Sequence, residues 1–190
     1  MKKYIILIPI YNDRESLTKL IDDINIETKD LSSEISIIVI NDRSSQQVSD
    51  NYLNIENINS IEIINMRENR GHTRCIASGL KYINEKKEFD YVIPMDGDGE
   101  DRPKEIKNFI QLTEQSEDKT IIGERVKRSE NLFFKSCYQF HKFLTLVFTG
   151  QSIKFGNFTC LSKSTVKKML NEKATWGSFS GSLKKVEKKL

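Results

Sequence analysis

Three acids recur at alternate positions in Asp96-Gly97-Asp98-Gly99-Glu100, and Asp101-Arg102-Pro103 follows directly. Carboxylates crowded in this way repel one another unless a cation joins them. Their oxygens are hard donors suited to Mg²⁺ or Mn²⁺, and a site with few protein ligands leaves coordination positions for the phosphate oxygens of a substrate. A calcium loop of the helix-loop-helix kind is the obvious rival. It needs further ligands, a terminal bidentate Glu and flanking helices, whereas these acids follow the apolar run Tyr91-Val92-Ile93-Pro94-Met95 and lead into Pro103. Acids gathered in an ordinary turn are the plain alternative for this motif taken alone.

Three further polar clusters each follow an apolar run: Pro9-Ile10-Tyr11-Asn12-Asp13, Asn41-Asp42-Arg43-Ser44-Ser45, and Asn69-Arg70-Gly71-His72-Thr73-Arg74. The runs at 4–10, 35–40, 61–64, 91–95 and 120–122 are short, rich in β-branched residues and continuous rather than alternating. Strands of that kind are covered on both faces, as in a parallel sheet. Between them lie helical spacings: Leu17, Leu20, Ile21 and Ile24; Ile76, Leu80 and Ile83; Ile106, Phe109, Ile110 and Leu112. Pro103 suits the first turn of the last of these helices. The alternation predicts an α/β fold, a three-layer sandwich with a mostly parallel central sheet, in which ligands bind beyond the carboxyl ends of the strands. A late antiparallel strand is expected at 155–161 and a helix at 164–170.

The whole chain of 190 residues, 37% hydrophobic and 30% charged, fits one domain spanning 1–190. A net charge of +3 excludes nothing by itself but lacks the basic excess of a nucleic-acid binder, so no nucleic-acid partner is expected. Cys75, Cys137 and Cys160 have neither zinc spacing nor an even count, and read as reduced thiols of a cytoplasmic protein. The start of the chain reads as a buried strand rather than a signal peptide, and no apolar stretch reaches the ~18 residues that span a bilayer. The aromatic segment 132–148 reads as a core helix, with a membrane-facing surface as its rival. The lysine-rich tail 183–190 reads as a solvated helix face, and His72 and His141 read as structural. A dinucleotide fingerprint, a Walker phosphate loop and a nucleophile elbow are all missing.

Taken together, the marks Ile8-Pro9-Ile10-Tyr11-Asn12, Val39-Ile40-Asn41-Asp42-Arg43-Ser44-Ser45, Asn69-Arg70-Gly71 with Arg74 and Gly79, and Met95 through Pro103 resemble family 2 glycosyltransferases, which share the nucleotide-sugar-binding GT-A fold. The likeness runs from residue 3 to about residue 170. Its nearest pattern is the branch containing polyprenyl-phosphate sugar transferases, where an Asp-x-Asp-x-Gln or Asp-x-Asp-x-Glu run precedes Pro. The resemblance implies that Pro9, Tyr11 and Asn12 line the nucleoside pocket and that Asp42, in Asn41-Asp42 where the family has paired acids, accepts a hydrogen bond from the base. It places Gly71 and Arg74 near the nucleotide. Asp96 falls on the ribose and metal side and works with Asp98 in catalysis, while Asp98 and Glu100 hold the cation on the diphosphate. Arg125 corresponds to a family arginine that neutralises phosphate, with an ordinary surface arginine as the alternative.

The implied reaction is metal-dependent transfer of a sugar, with inversion, from a UDP or GDP sugar to an acceptor, polyprenyl phosphate or a cell-surface glycan, in biosynthesis of a cell-envelope polysaccharide. In the family's Gly-Asp-Phe-Arg-Leu run this chain has Gly156-Asn157-Phe158-Thr159-Cys160, and an asparagine cannot be a general base. Three explanations stay open: an acceptor such as polyprenyl phosphate that is already ionised, a base elsewhere, or a missing C-terminal acceptor or membrane segment. A lipid acceptor implies peripheral contact with the inner face of the cytoplasmic membrane. Two other classes also stay open, a nucleotidyltransferase and a non-catalytic nucleotide-sugar-binding domain.

Overall fold

The unbroken apolarity of the first run is explained by its place at the centre of the sheet. Strand β1 (Lys3–Ile10) is flanked on both sides, and its alternate residues serve two separate cores. Tyr4, Ile6, Ile8 and Ile10 meet Leu17, Leu20, Ile21 and Ile24 of α1 (Arg14–Glu27) and Ile106, Phe109 and Ile110 of α3 (Glu105–Gln115). Ile5 and Leu7 turn the other way, onto Ile76, Leu80 and Ile83 of α2 (His72–Lys86). Each such side chain contributes roughly 1.5–3 kcal/mol by leaving water, so an unpartnered polar group in the buried stretch 4–10 would be costly.

The remaining elements of the computed structural model, which describes residues 1–45, 55–124 and 155–187, complete three layers. They are β2 (Glu34–Asn41), β3 (Ser60–Asn65), β4 (Tyr91–Pro94), β5 (Ile121–Glu124), β6 (Phe155–Ser162), α4 (Lys163–Leu170), a 3-10 turn at Lys173–Trp176 and α5 (Phe179–Val186). The sheet order is β3-β2-β1-β4-β6-β5. Pairings β1 with β2, β1 with β4 and β2 with β3 are parallel, and β6 runs antiparallel to both β4 and β5. Every apolar run is therefore a strand, and the one reversed strand is the late one expected.

Local chemistry sets the element ends. The Asp13 carboxylate accepts the Ser16 N–H at 3.2 Å and opens α1, Ser162 caps α4, and Ser178 caps α5. Gly79 lets α2 lie close on β1, since a Cβ there would come within 2.3 Å of Leu7 Cδ1.

Several expectations need correcting. Pro103 lies in a turn ahead of α3, which begins at Glu105. Leu112 is exposed and Thr113 buried, because the buried Tyr4 hydroxyl needs a polar partner and finds Thr113 Oγ1 at 2.7 Å. The tail is not merely a solvated face. Phe179 and Leu183, one helical turn apart, are buried against α2 and α4, and Glu187 accepts the Thr165 hydroxyl at 2.6 Å. Cys75 and Cys160 are buried free thiols. The segment 132–148, with Cys137 and His141, lies outside the described residues, as does Arg125. Among the described residues no helix is long and apolar enough to cross a membrane.

Candidate functional site

The polar clusters fall, as a parallel sheet requires, just beyond the carboxyl ends of β1, β2, β3 and β4. Side chains join them in a line. After β1, Asn12 adopts a positive φ of 53°, its N–H donates to Ser44 Oγ at 2.9 Å, and its Oδ1 accepts the Ser45 N–H at 2.7 Å. The first cluster is thereby tied to the second. Pro9 is buried near the end of β1, while Tyr11, just past that end, is 55% exposed.

The second cluster is tied to the third. Asn41 donates through Nδ2 to Asn65 Oδ1 at 2.7 Å and accepts the Ser44 N–H at 3.0 Å. The Asp42 side chain accepts the Arg70 N–H on Oδ1 at 2.7 Å and the Gly71 N–H on Oδ2 at 2.8 Å, and the residue is only 4% exposed. Gly71 has a φ of 84°, which L side chains resist, so the turn that aims these N–H groups at Asp42 selects glycine. The Cys75 thiol also bonds Asp42; burial first, and the carboxylate second, push it up to about 12, so it stays an S–H. Asp42 thus organises the entry to α2. Arg74 is exposed in the first turn of that helix.

The third cluster reaches the fourth through His72, whose Nε2 lies 2.8 Å from Asp96 Oδ1. That hydrogen bond raises the His72 pKa, against the lowering effect of partial burial and with help from the charges of Asp96, Asp98 and Asp101. Asp101 accepts the Asp96 N–H at 2.9 Å, and Asp98 accepts the Glu100 N–H at 2.9 Å. Gly99 holds a φ of 78° in this turn. A Cβ at Gly97 would stand 3.2 Å from the Pro9 carbonyl oxygen, so the acidic turn packs back against the end of β1. From β6, Asn157 Nδ2 comes within 3.4 Å of Asp96 Oδ1.

Pro9, Tyr11, Asn12, Asp42, Gly71, Arg74, Asp96, Asp98 and Glu100 all lie at or past the carboxyl ends of β1 to β4; hydrogen bonds link the segments of Asn12, Asp42, Gly71 and Asp96, and Asp98 with Glu100, while Tyr11 and Arg74 are placed there by the chain alone. His72, which reads as structural in the sequence, joins this end of the sheet through its bond to Asp96. The signal was faint: a histidine opening the helix that follows a strand-end cluster. Ser44, Ser45 and Asp101 are the other contributors.

Whether this turn fits a divalent cation rests on its donors. Asp98 and Glu100 are exposed carboxylates, and a carboxylate has about four lone-pair positions, of which the Glu100 N–H occupies one on Asp98. Among the described residues no three of His, Cys, Asp and Glu stand together as a ready metal cage. The chemistry fits a hard ion that takes few protein ligands and completes its shell with phosphate oxygens and water.

Comparison with known proteins agrees with the geometry. Residues 5–185 match the model of glycosyl transferase family 2. Undecaprenyl-phosphate 4-deoxy-4-formamido-L-arabinose transferase of Photorhabdus laumondii is 28% identical over 167 residues, covering 86% of this chain and 49% of that protein. The protein of the same name from Yersinia pestis is 29% identical over the same length and coverage. The chain spans about half the length of these curated relatives. In three dimensions it resembles the mannosyltransferase PcManGT from Pyrobaculum calidifontis in complex with GDP-Man and Mn²⁺, with a TM-score of 0.60 at 13% identity, covering 96% of this chain and 51% of that one. S. aureus TarS 1-349 in complex with UDP gives a TM-score of 0.57 at 17% identity, covering 88% and 48%. These likenesses establish the GT-A fold, and with the family match they lead to one conclusion: the chain belongs to glycosyl transferase family 2.

Proposed function

We propose that residues 1–190 form the catalytic domain of a metal-dependent, inverting glycosyltransferase that moves a sugar from a nucleoside diphosphate sugar to a polyprenyl phosphate at the inner face of the cytoplasmic membrane. The observation that carries the reading is the hydrogen-bonded line from Asn12 through Asp42 and His72 to Asp96, which brings an exposed aromatic ring and an acidic turn to one sheet edge. The curated relatives, named as undecaprenyl-phosphate sugar transferases, favour sugar transfer over nucleotidyl transfer and favour a lipid phosphate as acceptor.

In this reading the Tyr11 ring stacks on the base. Asp42 fixes the turn beside it and offers a remaining lone pair to the base. Asp98 and Glu100 would hold Mg²⁺ or Mn²⁺ on the diphosphate, where the ion supplies neutralisation of the charge that grows on the leaving group. Asp96 orients the ribose side. An acceptor phosphate oxygen attacks the anomeric carbon as the bond to the diphosphate breaks, its electron pair leaving on the diphosphate oxygen, and this single displacement inverts the centre. Asn157 cannot take a proton, and an acceptor phosphate has none to give once past its second pKa of about 6. Positioning and charge therefore matter more than a base.

The test supplies radiolabelled UDP and GDP sugars with Mn²⁺ or Mg²⁺, and offers polyprenyl phosphate in one set and soluble glycans in another. Label is expected in the lipid fraction. Label only in soluble glycan would overturn the acceptor assignment, and neither transfer nor metal-dependent hydrolysis would overturn the activity.

A further inference from the structure

Asp96 is held from two elements that are far apart in the chain. Its Oδ1 faces His72 Nε2 at 2.8 Å and Asn157 Nδ2 at 3.4 Å, while its N–H is taken by Asp101. The pairing of β4 with β6 brings the two segments side by side. Val92 of β4 pairs with Leu161 of β6 in the antiparallel ladder, and four residues on from the first and four back from the second lie Asp96 and Asn157. Val92 and Leu161 face the α2 side of the sheet, and His72 opens α2; Asp96 lies two residues past the end of β4, and Asn157 lies in the part of β6 whose register with β5 shifts. The three side chains meet where the turn after β4, the start of α2 and the first half of the antiparallel strand β6 converge.

We propose that His72 and Asn157 are positioning residues that clamp the Asp96 carboxylate, and that the neutral amide at 157 spares the acidic turn a further negative charge. Asp96, Asp98, Glu100 and Asp101 already crowd this turn. A carboxylate at 157 would stand against Asp96 as a like charge, whereas the amide N–H donates to it. The clamp itself rests only on the contacts above; its effect on a bound cation rests also on the reading of the turn as the diphosphate site.

A double-mutant cycle between positions 157 and 96, read by melting temperature of the full chain in chelator, tests the clamp without metal, nucleotide or activity. Asn157→Asp is expected to melt about 2–4 °C below Asn157→Ala, and Asp96→Asn in the same chain to remove that loss. If Asn157→Asp fails to fold in chelator, recovery on adding Asp96→Asn is the same readout. Additive effects at the two positions would overturn the proposal. Mn²⁺ alone then separates the two readings. His72→Ala and Asn157→Ala should weaken its binding by about tenfold or more with an unchanged circular dichroism spectrum, as loss of outer-shell partners does. Mn²⁺ should also raise the melting temperature of Asn157→Asp more than that of the parent chain. Coupling between 157 and 96 with no change in the Mn²⁺ response would support the clamp and overturn the cation reading of the turn.

Discussion

Asp42 and Asp98 each follow a buried parallel strand, yet their surroundings are of different kinds. Asp42 is 4% exposed and takes two backbone N–H groups and a thiol. Asp98 is exposed and accepts one N–H from its own turn. The first carboxylate has its charge compensated by the fold, so it works before any ligand arrives. The second, among the described residues, is exposed and accepts that one N–H, so its remaining lone pairs face solvent. At one end of the sheet, then, the proposed nucleoside side is built on a preorganised acid, and the proposed cation and diphosphate side on an exposed one.

This contrast can be broken most severely at Asp98. Asp98→Ala should lower sugar transfer by about 100-fold or more through loss of a hard ligand, while the melting temperature stays put, as for most exposed substitutions. A large loss of stability would show that Asp98 is structural after all. Asp42→Ala should do the reverse in kind: unfolding free energy falls by about 2–4 kcal/mol as two partly buried N–H groups lose their acceptor, and nucleotide affinity falls by about 1–3 kcal/mol. Denaturant titration and calorimetry measure the two separately.

Smaller effects sharpen the same comparison. Tyr11→Ala should weaken nucleoside diphosphate binding by about 1–2 kcal/mol, the stacking of one base, with stability unchanged because the ring is exposed in the free protein. An unchanged dissociation constant would move the base elsewhere. Gly79→Ala should cost about 1 kcal/mol of stability, at the low end for overpacking because the obstructing atoms are the ends of the Leu7 side chain. Nucleotide affinity should survive, since α2 would shift as a body; loss of binding would mean that the α2 start tolerates no movement.

Much of this was legible in the sequence, for physical reasons. A strand buried on both faces cannot hide its apolarity, which is why β1, β2 and β4 stood out, and the parallel topology then put Tyr11, Asp42 and Asp98 at one edge without any contact being known. What could not be read were contacts between distant segments. His72 lies 24 residues from Asp96, and nothing local distinguishes it from a structural histidine. Asn157 reads as the loss of an acid, and its contact with Asp96 as a donor depends on β6 returning beside β4. Asp42 read as a ligand contact because its grip on the Arg70 and Gly71 N–H groups is invisible in sequence. Likewise Thr113 was passed over for Leu112, since only the fold brings the Tyr4 hydroxyl to that side of α3.

The central claim is that the acidic turn after β4 binds a diphosphate through a divalent cation. Calorimetry of UDP and of GDP, each with Mn²⁺ and with chelator, on the parent chain and on Asp98→Ala, tests it most directly. The account predicts that one of the two nucleotides binds the parent chain at least about tenfold more tightly with Mn²⁺, and that Asp98→Ala erases the difference. Equal affinity with metal and with chelator, unaltered by Asp98→Ala, would contradict it.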